Sequence, residues 1–208
     1  VGRTRLTRVE LFNLFPTTIA VYDLQRELNK HELETITECV NDFVLNQGNK
    51  TSKNKYVLKT PALCNLNNFF LDCVNDCMQR VFEETTKLRI TQSWLNRTDK
   101  GQFHHIHTHP NSYLSGVFYV KTTVDDRITF HNTDTRSIYY QPVYENFNIN
   151  NSSTWWLPAT QNKLYLFRSD VWHSVPQIQH DERISLSFNT FFAEDFGSET
   201  SIARLPLL

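Results

Sequence analysis

Apolar and polar positions divide the chain into a helical stretch and a longer β-rich remainder. Leu33, Ile36, Val40, Phe43 and Val44 recur three or four apart. This spacing predicts an amphipathic helix over about Asn29 to Leu45, stopped by Gly48. A second helix is predicted from about Leu66 to Lys87, with Phe70, Val74, Cys77, Val81 and Phe82 on one side. Both helices read as scaffold. Ahead of them, Leu11 to Val21 reads as an edge strand, with Pro16 tolerated at a bulge or strand end.

After Arg89 the pattern changes. Short segments rich in Ile, Val, Phe, Tyr, Thr and Trp alternate with turns bearing Asn, Asp, Gly and Pro. The predicted strands are Ile90 to Arg97, Gln102 to His109, Tyr113 to Thr122, Arg127 to His131, Lys163 to Phe167, Val171 to Val175 and Arg183 to Phe192. So many strands in succession, after two helices, give a mainly β chain with helices (α+β) arranged as a sandwich or barrel. No linker composition interrupts it. One domain over 1–208 is expected, with helical support over about 29–88 and a β core over about 89–193. The stretch from Thr133 to Trp156 is polar but carries Tyr139, Tyr140, Tyr144, Phe147, Trp155 and Trp156. It reads either as a lid or substrate loop, or as a surface loop packed on itself.

Composition narrows the functional classes. At 208 residues, 39% hydrophobic and 21% charged, the chain suits one core. A formal net charge of -1 argues against the basic face of a nucleic-acid binder. Arg3, Arg5 and Arg8 read as a solvated tail. No apolar run is long enough for a membrane span, and Glu10 and Asn13 break the opening apolar stretch where a signal-peptide core would lie. Cys73 and Cys77 stand four apart in a helical pattern with no matching pair, so they and Cys39 and Cys64 read as thiols in a reducing compartment. A cytoplasmic location is expected.

Five of the eight histidines fall in two short places. His104, His105, His107 and His109 lie on one predicted strand and its end, and His173 lies far downstream. Strand alternation puts His105, His107 and His109 on one face and His104 on the other, where no role is expected. A neighbouring pair can converge on one ion at about 2.0–2.2 Å per ligand. Imidazoles suit Fe, Zn, Cu or Ni better than Mg or Ca. His131 and His180 are isolated.

In the last strand Ile184, Leu186 and Phe188 face one side, and Arg183, Ser185, Ser187 and Asn189 the other. An arginine and a hydroxyl on one face form an anion clamp, because guanidinium pairs with carboxylate through two parallel hydrogen bonds. The plainer reading of Arg183 is a surface ion pair with Asp181 or Glu182.

These residues resemble the iron- and 2-oxoglutarate-dependent oxygenases, and more narrowly an uncharacterised phage and bacterial branch. The resemblance begins with the Leu14-Phe15-Pro16 opening and is carried by Ser93-Trp94-Leu95-Asn96, by His107-Thr108-His109-Pro110-Asn111-Ser112 and by Leu114 to Val120. It continues through Leu164 to His173 and Arg183-Ile184-Ser185-Leu186-Ser187-Phe188-Asn189. It implies a double-stranded β-helix (jelly roll) flanked by two N-terminal helices, using Fe(II), 2-oxoglutarate and O2. Carried over by residue, His107 is the first ligand, His109 takes the carboxylate position and His173 is the distal ligand. Arg183 would pair with the far carboxylate of 2-oxoglutarate, supported by Ser185. Tyr119 stands where many members place a hydroxyl reaching that carboxylate, and Asn96 is a further cosubstrate contact.

The chain departs from the family where His109 stands in place of an acid, which raises the charge of the metal site and makes zinc a competitor. A second register, His105 with His107, is open. Asp99, Asp134 and Asp170 could offer a loop carboxylate, although none has the expected spacing. The activity implied is decarboxylation of 2-oxoglutarate coupled to oxidation of a substrate, a peptide side chain or a small molecule. A cupin-like protein holding zinc without turnover and a dioxygenase independent of 2-oxoglutarate are the alternatives. The Arg183–Ser185 clamp separates them from the oxygenase. A phage origin, in a host cytoplasm, rests on the resemblance alone.

Overall fold

The computed structural model describes residues 9–133, 143–200 and 202–207. Its elements run β1 (Ile19–Asp23), α1 (Lys30–Asn41), β2 (Phe43–Leu45), β3 (Lys50–Ser52), α2 (Cys64–Phe82), β4 (Leu88–Thr98), β5 (His104–His107) and β6 (Leu114–Lys121). They continue with β7 (Arg127–His131), β8 (Thr154–Pro158), β9 (Lys163–Arg168), β10 (His173–Val175) and β11 (Arg183–Phe192). A seven-stranded sheet has the order β1-β9-β6-β11-β4-β3-β2, and a four-stranded sheet the order β5-β10-β7-β8. Every ladder between these strands is antiparallel. The chain is mainly β, with two helices.

Helix α1 begins where its sequence supplies a cap. The Asn29 side chain accepts from the Glu32 amide, and Glu32 accepts from the Asn29 amide, which satisfies two otherwise orphaned donors. The helix ends at Asn41, short of the predicted Leu45. Phe43–Leu45 instead pairs with Lys50–Ser52. Gly48 belongs to the turn between them at φ +95°, where a Cβ would stand 2.8 Å from the Phe103 carbonyl oxygen. That glycine therefore shapes a hairpin and does not stop a helix. Helix α2 likewise ends before Lys87, at Glu83 in the left-handed conformation.

Two expectations fail at the ends of the β region. Leu11, Phe12, Leu14 and Phe15 are exposed, and the strand starts only at Ile19, which pairs with Phe167. Phe15 at φ +58° and the following Pro16, which lacks a donor, interrupt extended pairing. Strand β8 emerges from the end of the supposed insertion, with Trp155 opposite Phe130 and Trp156 opposite Thr129. Tyr139, Tyr140 and Asp134 lie outside the described residues. Tyr144 and Phe147 are exposed and stack edge-on at 6.0 Å.

The two faces of the large sheet have different partners. Outward, Leu95, Phe118, Leu164, Leu166, Leu186 and Phe188 join the helices in the main core, where Phe70 stacks on Phe188 at 5.1 Å. Gly116 admits this packing, since a Cβ there would lie 2.2 Å from the Phe188 ring. Inward, Val117, Tyr119, Tyr165 and Phe167 pack against Ile128 and Phe130 of the small sheet. The two sheets thus face each other, and Arg183, Ser185 and Ser187 are buried on the inner side.

Candidate metal centre

His173 begins β10 and pairs with His107 on one side and Phe130 on the other. His109 follows two residues after His107, its amide donating to the Ser169 carbonyl at 2.9 Å. One ring nitrogen from each of His107, His109 and His173 lies within 4.8 Å of the others. His109 Nε2 and His173 Nε2 are 3.2 Å apart. Two metal–nitrogen bonds of about 2.1 Å at roughly 100° separate their nitrogens by about 3.2 Å, so this spacing suits a shared ion.

The outer nitrogens fix the tautomers. His107 Nδ1 lies 2.8 Å from the His105 carbonyl oxygen and His173 Nδ1 2.9 Å from that of Val171. Each Nδ1–H donates to its carbonyl, which leaves the lone pair of both rings on Nε2. Behind His109, Asn189 hydrogen-bonds its ring and accepts from Ser115, which in turn bonds Ser169 at 2.7 Å. Trp94 stacks on the His109 ring at 5.6 Å, and Phe167 meets His173 edge-on at 4.7 Å.

Burial keeps these rings neutral. It pushes His109 down to about 4, helped by His107 and opposed by the Asn189 hydrogen bond. Burial, reinforced by His107 and His109, holds His173 well below the ordinary histidine value. His107 is lowered chiefly by burial, with the His105 carbonyl opposing. A neutral imidazole is the form that ligates. Among the described residues no carboxylate joins the group.

On the facing sheet, Arg183 is only 3% exposed. It makes no surface pair with Glu182, which instead meets Arg97 at 3.0 Å and Lys121 at 2.9 Å. Its guanidinium donates to the Arg127 carbonyl at 2.9 Å and to the Tyr119 hydroxyl at 3.1 Å. Tyr119 is fully buried, and its phenol is pushed up to about 12 by that burial, against the pull of Arg183. Ser185 lies between Tyr119 and Asn96 in the cross-strand register, so the four predicted cosubstrate residues share the inner face. The Asn96 amide donates to Ser187 at 3.0 Å, while its own buried oxygen has no hydrogen-bond partner.

Residues 92–189 match the family model described as "Putative 2OG-Fe(II) oxygenase". The β core is thus matched to the 2OG-Fe(II) oxygenases, a family of oxidoreductases. Among solved structures the chain is similar to HygX from Streptomyces hygroscopicus, bound to nickel, 2-oxoglutarate and hygromycin B (12% identity, TM-score 0.56, 84% of this chain and 82% of that one). It is also similar to a prolyl-4-hydroxylase of Pseudomonas putida (13%, TM-score 0.52, 83% and 92%). A third is a prolyl hydroxylase of Trichoplax adhaerens in complex with a hypoxia inducible factor peptide (11%, TM-score 0.56, 83% and 83%). At such identities these are likenesses of fold. No curated protein sequence matches the chain.

The expectation for His104 is corrected by the geometry. Its ring stacks on His107 at 4.3 Å and is buried enough to be pushed down to about 3, with His107, His105 and Arg183 adding to the shift. The cause is a bulge: His173 and Val175 of β10 pair with His107 and His104, so one extra β5 residue is inserted. A bulge breaks the period of two and re-aims a side chain, and nothing in the local sequence announces it. Trp94 and Asn189 were given no role at the histidines, although Asn189 shares the alternating face of Arg183. No helix of the described residues is long and apolar enough to cross a membrane.

Proposed function

We propose that this chain is an Fe(II)- and 2-oxoglutarate-dependent oxygenase of the hydroxylase type, its two facing sheets forming one double-stranded β-helix domain. The observation that carries the reading is the buried Arg183, which has no carboxylate partner among the described residues and shares the inner space with three converging imidazoles. A buried guanidinium without a counter-charge is costly unless an anion meets it. A dicarboxylate spanning metal and arginine answers both needs.

His107, His109 and His173 would hold the metal through their Nε2 atoms. Arg183, with the Tyr119 hydroxyl and Ser185 beside it, would grip the far carboxylate of 2-oxoglutarate, and Asn96 would add a contact. When bound, iron and 2-oxoglutarate together supply the O2-dependent oxidising chemistry. The protein orients: Asn189 and two backbone carbonyls fix the rings, Trp94 covers His109, and the inter-sheet packing of Phe130 and Phe167 excludes water on one side. Substrates of the proposed class are peptide side chains or small molecules, as in the structurally similar proteins. Four free thiols, two of them buried on α2, support a cytoplasmic location.

The all-imidazole donor set favours one second reading, a zinc-holding protein without turnover. Anaerobically purified protein supplied with Fe(II), 2-oxoglutarate and air separates the two. The oxygenase reading expects iron-dependent succinate formation above that of a His173→Ala variant. Equal, background succinate from both would leave the zinc reading standing.

A further inference from the structure

Beside the trio of His107, His109 and His173, a second group of nitrogens shares His107. One ring nitrogen each from His104, His105 and His107 lies within 4.8 Å of the others. The rings contact pairwise, with centroids 5.2 Å apart for His104–His105, 4.3 Å for His104–His107 and 5.1 Å for His105–His107. An unbroken strand would separate consecutive side chains onto opposite faces. The bulge opposite His173–Val175 brings His104 to the same side as its neighbours. We propose that His104, His105 and His107 form a second site, for an imidazole-preferring divalent cation of the zinc class, that competes with the first site for His107.

The hydrogen bonds leave the right atoms available. His105 Nδ1 lies 3.2 Å from the Gln47 carbonyl oxygen and donates to it, which leaves Nε2 as the lone pair. His104 Nε2 lies 3.4 Å from the Asn46 amide nitrogen, the longest of the hydrogen bonds around these rings and the one most easily exchanged for a metal bond. His107 has one lone pair, because its Nδ1–H is held by the His105 carbonyl. One lone pair serves one metal, so the two sites exclude each other. Zinc has no redox chemistry of its own, and zinc at the second site would withdraw a ligand from the first. Three half-buried imidazoles with no carboxylate in the group favour zinc, copper or nickel over magnesium or calcium.

The second site stands on its own geometry, whereas the antagonism rests on the proposed first site. The two separate by mutation, with Zn(II) binding read by calorimetry and Co(II) as an absorption probe of nitrogen ligation. His173→Ala removes only the first site, and His105→Ala only the second. The proposal expects His173→Ala to keep one Zn(II), and a His105→Ala/His173→Ala double variant to bind it about tenfold more weakly or worse. His104→Ala in the His173→Ala background should show the same loss, with circular dichroism confirming the fold. The parent should hold one Zn(II), not two. Loss of Zn(II) binding in His173→Ala alone would overturn the second site, and two simultaneous Zn(II) ions in the parent would overturn the competition. Failure of His105→Ala to bind any metal would count against the first site and leave the second intact.

Discussion

The Arg183 guanidinium donates to the Tyr119 hydroxyl at 3.1 Å, and its carbon lies 4.8 Å from the centroid of the same ring. The phenol therefore both steadies the cation and aims its oxygen alongside it. Replacing Tyr119 with Phe keeps the ring and removes the hydroxyl. The expected result is a cosubstrate Kd raised about five-fold, equivalent to roughly 1 kcal/mol. Metal affinity should be unchanged, as calorimetry with each ligand will show.

Asn189 acts one step removed, through the His109 ring. Asn189→Ala removes its hydrogen bond and leaves Ser115 without that partner. Metal affinity should fall about 10–100-fold, the usual consequence of losing a group that orients a ligand. The melting temperature without metal should move little by comparison.

Gly116 stands opposite Phe188 in the ladder between β6 and β11. A Cβ there would stand 2.2, 2.4 and 2.8 Å from atoms of the Phe188 ring. Gly116→Ala should destabilise the chain by about 2–3 kcal/mol, as overpacked cores do. A lower urea midpoint with an unchanged slope is the expected observation, and combination with Phe188→Leu should recover part of the loss.

Acid sensitivity is expected at α1. Burial alone would raise the Glu32 carboxyl, but two hydrogen bonds from Arg26 and one from the Asn29 amide outweigh it and bring it below the ordinary range. Because the folded value lies below the unfolded one, near about 4.3, the stabilisation is complete above that pH. It is lost as pH falls through the folded value. Glu32→Gln should cost about 1–3 kcal/mol at pH 7, and its stability curve should be flatter than the parent's below about pH 5.

Most of this architecture could be read from alternation. The segment Arg183 to Phe192 was bounded correctly, and its two faces meet the helices and the histidine sheet as the pattern required. What escaped reading was set by tertiary pairing. Phe43–Leu45 continues the apolar spacing of α1 yet is claimed by a hairpin. Thr154–Pro158 reads as the end of a polar loop but gains a partner in β7. His104 has an ordinary place in a strand pattern, and only the bulge, a property of two chain segments together, turns it toward His107.

The most direct test is 2-oxoglutarate binding under anaerobic conditions with Fe(II), compared between the parent and Arg183→Ala. Removing one partner from a buried charge pair predicts a loss of about 2–5 kcal/mol, with iron still bound and binding in the parent dependent on iron. A parent that binds 2-oxoglutarate equally well without iron, or an Arg183→Ala variant that binds it as tightly as the parent, would contradict the account.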